Sequence, residues 1–329
     1  MKIAFGIMSA VHSARVVDQL ASCLRPYEVF IHHDFAQQSP FELTTPGVRY
    51  VPQPKRTGWG VWGFTEGVFH LLRHCLRNSD FEYFQLLSPT CLPIKPVAQF
   101  EQALTQSRAQ ANIESIALAS DRDALMNYGM RAYAPHGSLR YRMMKRAFLV
   151  YYGANWQSAH RANLQLRHSG DSRRPVLESA SVAVMKLAQR GYFGRNLLTH
   201  GLSPHVGGTW FGARRDICEY LVRRFEDNDV QECFSRIFIA DEMILASLIA
   251  DAPIQVGPSN HLVNRFTEGN PNWLLDTDYS MLEQSDRFFA RKFPDDPDAP
   301  IRHRVMTELA GRVEHNTTIQ RGRLQQHGA

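Results

Sequence analysis

No window of this 329-residue sequence approaches the roughly 20 consecutive apolar residues that a helix needs to cross a bilayer. The apolar start, Met1 to Val11, is too short and too soon interrupted for a signal-peptide core. A soluble, cytoplasmic protein is expected, at most peripheral to the membrane. Cysteine is sparse: Cys23, Cys75, Cys91, Cys218 and Cys233 are odd in number, scattered and without C-x-x-C spacing. That pattern excludes a disulfide framework and a cysteine zinc site and fits reduced thiols. There is no G-x-G-x-x-G after the first strand pattern and no G-x-x-x-x-G-K-[ST] anywhere, which removes the dinucleotide fingerprint and the P-loop. Internal repeats and long basic runs are also missing. With Lys+Arg 37 against Asp+Glu 32, the net +5 is dispersed, which fits a small anionic ligand better than a nucleic-acid groove.

What is present is the patterning of a globular α/β chain, with 44% hydrophobic and 21% charged residues. Residues 2–11 read as a buried strand, 13–25 as an amphipathic helix capped by Ser13, and 27–34 as a second strand; 48–51 form a third, short one. Strand, helix, strand opens a nucleotide-binding fold, and such sheets take ligands beyond the carboxyl ends of their strands. Ser9 to His12 and His32 to Asp34 then lie on one rim. His32-His33-Asp34 resembles a metal cluster, but neighbouring strand side chains point to opposite faces, so Asp34 is better read as an acceptor for a base or ribose.

Thr57 to Gly67 holds glycines bracketing Trp59 and Trp62; it fits either a flat wall beside a ligand or a tight turn with two core aromatics. Helices are expected over 64–77, 96–106, 214–225 and much of 172–200, and a strand over 113–119. Tyr141 to Arg146 is basic and reads as a solvated helix face rather than an acceptor site. In Phe238 to Ile249, the pair Asp241-Glu242 opens a run whose apolar residues recur at helical spacing, with one face buried. Acids in a first turn suit the helix dipole, whether Asp241 is a cap or the pair serves as a general base facing a cleft. Asp121-Arg-Asp123 matches the metal-binding Asp-x-Asp form and reads as loop charge.

Six short motifs in order resemble the core-2/I-branching enzymes, glycosyltransferase family 14, over about residues 1–294. They are Ile31-His-His-Asp34, Trp62-Gly63, Phe84-Gln-Leu-Leu-Ser-Pro-Thr-Cys-Leu-Pro-Ile-Lys95, Gly208-Thr-Trp-Phe-Gly-Ala-Arg-Arg-Asp216, Asp241-Glu242 and Phe289-Ala-Arg-Lys-Phe293. Cys91 stands where the family often has Asp, and Glu268 to Trp273 lacks the arginine that animal members carry upstream of the last motif.

The resemblance implies a GT-A-like α/β fold in a single large domain, 1–294, with a mixed sheet flanked by helices and a polar, frayed extension over 295–329. It implies an inverting transfer from a UDP-sugar, N-acetylglucosamine or xylose before others, to a glycan or lipid-linked acceptor. No cofactor, metal or nucleic acid is expected. Glu242 is the implied base and Lys292 the diphosphate contact. His12, Asp34, Trp62 and Arg291 complete the implied donor side, and Trp210, Asp241 and Arg265 the acceptor side. Fixed cations can replace the metal of other transferases, since charge-assisted contacts to phosphate are strong. The alternative is a non-catalytic nucleotide- or carbohydrate-binding protein on the same fold.

Overall fold

The first strand of the computed structural model, β1 (Ile3–Ser9), is buried along its whole length. Its alternate residues feed two cores: Ala4 and Met8 join one cluster, while Ile3, Phe5 and Ile7 join the other. Gly6 lies between them because a Cβ there would sit 2.5 Å from the Phe84 ring. The structure describes residues 1–38, 41–132, 137–153, 161–162, 165–166, 175–193, 202–263, 266–267 and 270–311.

Helix α1 (Ala14–Cys23) follows, and Ser13 caps it by accepting from the Val16 amide at 3.4 Å. Next come β2 (Glu28–His33), β3 (Val48–Tyr50), α2 (Trp62–Asn78), β4 (Tyr83–Leu87), β5 (Leu92–Pro93) and α3 (Val97–Gln106). The middle of the chain holds β6 (Ala111–Asn112), β7 (Ser115–Ala117), α4 (Arg122–Ala132), α5 (Leu139–Tyr152), the two-strand pair β8 (Arg161–Ala162) and β9 (Gln165–Leu166), and α6 (Pro175–Phe193). Then follow β10 (His205–Gly207), β11 (Gly212–Arg214), α7 (Arg215–Phe225), α8 (Asn228–Phe234) and α9 (Asp241–Asp251). The last elements are β12 (Val256–Gly257), β13 (His261–Val263), β14 (Phe266–Thr267), β15 (Asn270–Pro271), α10 (Tyr279–Gln284), β16 (Phe289–Arg291) and α11 (Pro300–Arg304).

Seven strands form the main sheet in the order β12-β6-β11-β4-β1-β2-β3. The sheet is mixed: β1 runs parallel to both β2 and β4, while β11 is antiparallel to β4 and β6. From β1 the chain moves outward through β2 and β3 and returns to β4 on the other side. That reversal leaves a crevice at the carboxyl ends of β1 and β4, the place where open α/β sheets take ligands. A three-stranded sheet, β13-β16-β5, covers one side of the crevice. This is a mixed α/β domain with a large sheet flanked by helices, the GT-A-like arrangement.

Four local expectations change. The strand expected over 113–119 shortens to β7, which pairs with β10, while β6, just before that stretch, joins the main sheet between β11 and β12. The turn between β6 and β7 brings the Glu114 carbonyl so close to Gly207 that no side chain fits there. Helix α9 buries Met243 through Ile249 on all sides, not one face, because it lies inside a cluster shared with α2, α7 and β10. Asp241 is not its cap: Ala240 holds that position, without a side-chain cap bond. Beyond residue 294, Ile301, Val305 and Met306 enter the second core, and the buried Arg302 bonds Gln19, the Pro294 carbonyl and the Val16 carbonyl. The expected fraying past residue 312 lies outside the described residues.

Candidate active site

The ends of β1 and β4 open onto a cleft of about 1010 Å³. Met8, Ser9 and His12 line it from β1 and its following loop, and Ser88 and Thr90 from the turn after β4. That turn is closed from within. The Ser88 hydroxyl lies 3.0 Å from Thr90 Oγ1 and 3.2 Å from Cys91 Sγ, and the Ser88 amide donates to the same sulfur at 3.4 Å. Burial pushes the Cys91 thiol upward, so it is a protonated, packed group that holds the turn in place of a carboxylate.

Asp241 and Glu242 enter at the start of α9. The approach to them is strained and stitched. Ile239 has φ 58, in the left-handed region that costs a β-branched residue roughly 1–2 kcal/mol. Its amide donates to the Gly60 carbonyl at 3.0 Å. Gly60 itself has φ +73, and a Cβ on it would meet the Phe238 ring at 2.4 Å, so this position needs glycine. Asp241 is buried and accepts a short bond from the Thr209 hydroxyl, which fixes the first turn against the β10–β11 loop. Glu242, the next residue, is partly exposed to the cleft.

The cations come from the opposite wall. β16 pairs with β13 in parallel and with β5 antiparallel, bringing Arg291 and Lys292 to the cleft. The Lys292 carbonyl accepts from the Leu274 amide at 2.8 Å, and the Phe293 amide donates to the Thr90 carbonyl at 2.9 Å, so this corner is held on both sides. The Arg291 guanidinium lies 4.7 Å from the Trp210 ring, and Lys292 Nζ lies 4.1 Å from the Trp273 ring. Burial lowers the pKa of Arg291, while Cys91, Glu242 and Asp241 favour its charge. Burial and then Arg291 lower Lys292, and Asp295 opposes them. A cationic pair packed this tightly against rings, facing two acids, suits a ligand that brings its own negative charge.

Of the residues expected from the sequence, His12, Trp210, Asp241, Glu242, Arg291 and Lys292 line this one cleft. His12 Nδ1 also meets Asp295 Oδ1 at 2.7 Å, joining the loop after β1 to the segment after Lys292. Trp62 is placed differently. It stacks on Phe225 at 5.6 Å and packs against the core, because it sits in the first turn of α2 facing α7. Trp59, three residues earlier and 74% exposed, lines the cleft instead, with its ring 5.1 Å from Phe238.

Asp34 is buried, and its oxygens face inward to the loop after β3. They accept from the Thr57 amide at 2.6 Å, Gln37 Nε2 at 2.6 Å, the Ala36 amide at 3.1 Å and Thr57 Oγ1 at 3.1 Å. Burial alone would raise its pKa, but these bonds outweigh it and the value falls. Asp34 therefore anchors the loop that carries Trp59 and Gly60. Arg265 lies outside the described residues.

His32 accepts from the Lys55 amide at 2.9 Å and His33 meets Ser9 at 3.0 Å, so the adjacent histidines serve different neighbours. Asp121 accepts from the Ala124 amide at 2.8 Å at the start of α4, and Asp123 from the Tyr152 hydroxyl at 3.2 Å; neither lines the cleft. Sequence reading missed His261, which is 95% buried by its 5% exposure and whose pKa falls to about 3 through burial and Arg291. It also missed Thr209 and the Ser88–Thr90 turn. Thr209 and the Ser88–Thr90 turn both had a signal, lying inside quoted motifs, whereas His261 had none.

The sheet crevice thus has an acid pair on one wall and fixed cations on the other. Residues 3–173 match the family model described as Core-2/I-Branching enzyme. That span is more than half of the chain, and the chain belongs to this family. No curated protein matches it. The matched span ends before α9 and β16, so the acid pair and the cations are joined to it by the fold.

Proposed function

We propose that the protein transfers a sugar, N-acetylglucosamine or xylose before others, from a UDP-sugar to a hydroxyl of a glycan or lipid-linked acceptor, with inversion and without a metal. One observation carries the reading: Glu242 and the Arg291–Lys292 pair enter the same cleft from separate elements, at the strand ends where a nucleotide would lie. Glu242 takes the proton from the acceptor hydroxyl as its oxygen bonds to the anomeric carbon. The bond from that carbon to the diphosphate oxygen breaks on the opposite face, and UDP leaves with the electron pair. Arg291 and Lys292 balance the charge that grows on the diphosphate. Asp241, tied to Thr209, positions the turn that presents Glu242. Trp210, with Arg291 against its face, gives the sugar a flat wall.

The test is UDP release across a panel of UDP-sugars, each with and without EDTA, for wild type and Glu242→Gln. The expected result is one preferred donor, turnover that survives EDTA, and a loss of about 10²–10⁴-fold in Glu242→Gln with UDP affinity retained. Turnover by Glu242→Gln near the wild-type rate removes Glu242 as the base. Turnover that collapses with EDTA removes metal independence.

A further inference from the structure

Helices α5 and α6 pack along one another, and the Arg140 guanidinium reaches the Ala188 carbonyl at 2.6 Å. Their outer faces are unusual for a soluble surface. Of the fourteen exposed large apolar side chains among the described residues, seven lie on these two helices, so the exposure is gathered in one place. On α6, Val176, Ala180, Ala183 and Leu187 are all exposed at helical spacing, forming one unbroken apolar stripe. Val176 is 78% and Leu187 73% exposed. On α5, Leu139 and Met143 are exposed at 67% and 56%, and Arg142, Lys145 and Arg146 stand on the same outward side.

The charge on this surface has one sign. Helix α5 contains four basic residues and no acid. The acid of α6, Glu178, lies on the side of the helix away from the stripe. Among the described residues no carboxylate forms an ion pair with Arg142, Lys145 or Arg146. Apolar residues interleaved with unpaired cations, on helices lying side by side, match an interface that is apolar below and anionic at its surface. A protein partner would need an apolar patch with acids set opposite each of these cations. A bilayer carrying anionic headgroups supplies both layers at once.

We propose that the α5–α6 face docks the protein on the surface of an anionic membrane, with Val176, Leu187, Leu139 and Met143 entering the headgroup region and Arg142, Lys145 and Arg146 meeting lipid phosphates. No helix among the described residues is long and apolar enough to cross a membrane, so the contact is peripheral. It is separate from the cleft: among the described residues, none of α5 or α6 lines it.

The experiment is co-sedimentation of the full chain with vesicles of phosphatidylcholine alone and of phosphatidylcholine mixed with phosphatidylglycerol, at low and high salt. Two variants are compared with wild type: the charge variant Arg142→Ser/Lys145→Ser/Arg146→Ser and the apolar variant Val176→Ser/Leu187→Ser. All five positions are exposed, and thermal melts confirm that both variants fold. Wild type is expected to pellet with the anionic vesicles and to be released by salt. The charge variant should bind about a hundredfold more weakly, from roughly fivefold for each cation near an anionic surface. The apolar variant should also weaken while keeping its salt response. Absence of binding to anionic vesicles overturns the proposal, and so does equal binding by wild type and both variants. Sedimentation velocity decides the remaining case: self-association of wild type that the apolar variant abolishes, with no lipid dependence, makes this face an interface between copies and overturns the membrane assignment.

Discussion

Replacing Asp34 with Ala separates two roles that a strand-end aspartate can play. As a ligand group it would contact the donor and do little for the empty protein. As an anchor it holds the loop after β3, and its loss is felt without any ligand. The carboxylate accepts four bonds, two of them at 2.6 Å from the Thr57 amide and Gln37. Hydrogen bonds to charged groups contribute about 1.5–3 kcal/mol each, but they do not add when one side chain makes all of them. Ala36 is an exposed residue whose amide can turn to water, whereas Thr57 is half-buried. A net loss of about 3 kcal/mol follows from that accounting. For a chain of 329 residues it lowers Tm by about 4 °C.

The same anchor has a pH signature. The folded pKa of Asp34 is lowered, so its contribution is complete above the unfolded value of about 4 and is lost as pH falls through the folded value. Asp34→Asn should remove that part of the acid slope. The assays are thermal melts of the unliganded protein from neutral to acid pH, together with UDP titration. A melt of Asp34→Ala within about a degree of wild type, with UDP affinity lost, would refute the anchoring argument and restore a ligand role.

Lys292→Ala should weaken UDP binding by about 10–100-fold, the worth of a charge-assisted phosphate contact, as read by calorimetry; unchanged affinity takes Lys292 out of the donor site. Gly60→Ala places a methyl group on the Phe238 ring at a positive φ, and should cost about 1–3 kcal/mol in stability and reduce turnover by displacing the start of α9. The two tryptophans should part company. Trp62→Ala should destabilise by about 3–5 kcal/mol through lost packing on Phe225, whereas the exposed Trp59→Ala should leave the melt nearly unchanged and raise KM for a substrate.

Much of the fold was legible because periodicity reports burial. Strand and helix limits through residue 106 follow the sequence reading within about two residues, the usual uncertainty of such ends. The acid pair was legible as chemistry at the start of a helix, whereas Trp210 and the roles of Arg291 and Lys292 came from the motifs of the family resemblance. What sequence could not show is direction. Trp59 and Trp62 have the same neighbours in composition, and only the turn geometry of 57–61 decides which ring faces the cleft. Asp34 read as an acceptor for a base or ribose because its partners, Thr57 and Gln37, are ordinary residues whose placement depends on the loop. The apolar run of α9 carried no mark of being buried on every side, since its surroundings come from α2, α7 and β10. The stretch 113–119 read as one longer strand because nothing local announces that the chain leaves the main sheet after Asn112 and pairs with β10 over only three residues.

The pairing of β5 with β16 has a consequence for how the molecule is made. Leu92 meets Ala290, and Pro93 meets Phe289, nearly two hundred residues apart in the chain. A ribosome therefore releases the β1–β4 half long before the strand that completes the cleft exists. Until then Cys91, Leu92 and Ile94, all buried in the finished protein, have no cover from β16 or from Phe293. Long-range pairing of this kind slows folding and leaves apolar surface open to aggregation in the interval. Expression at lower temperature or with added chaperones should raise the soluble yield. Fragments ending before residue 289 should be insoluble however well their own sheet is patterned.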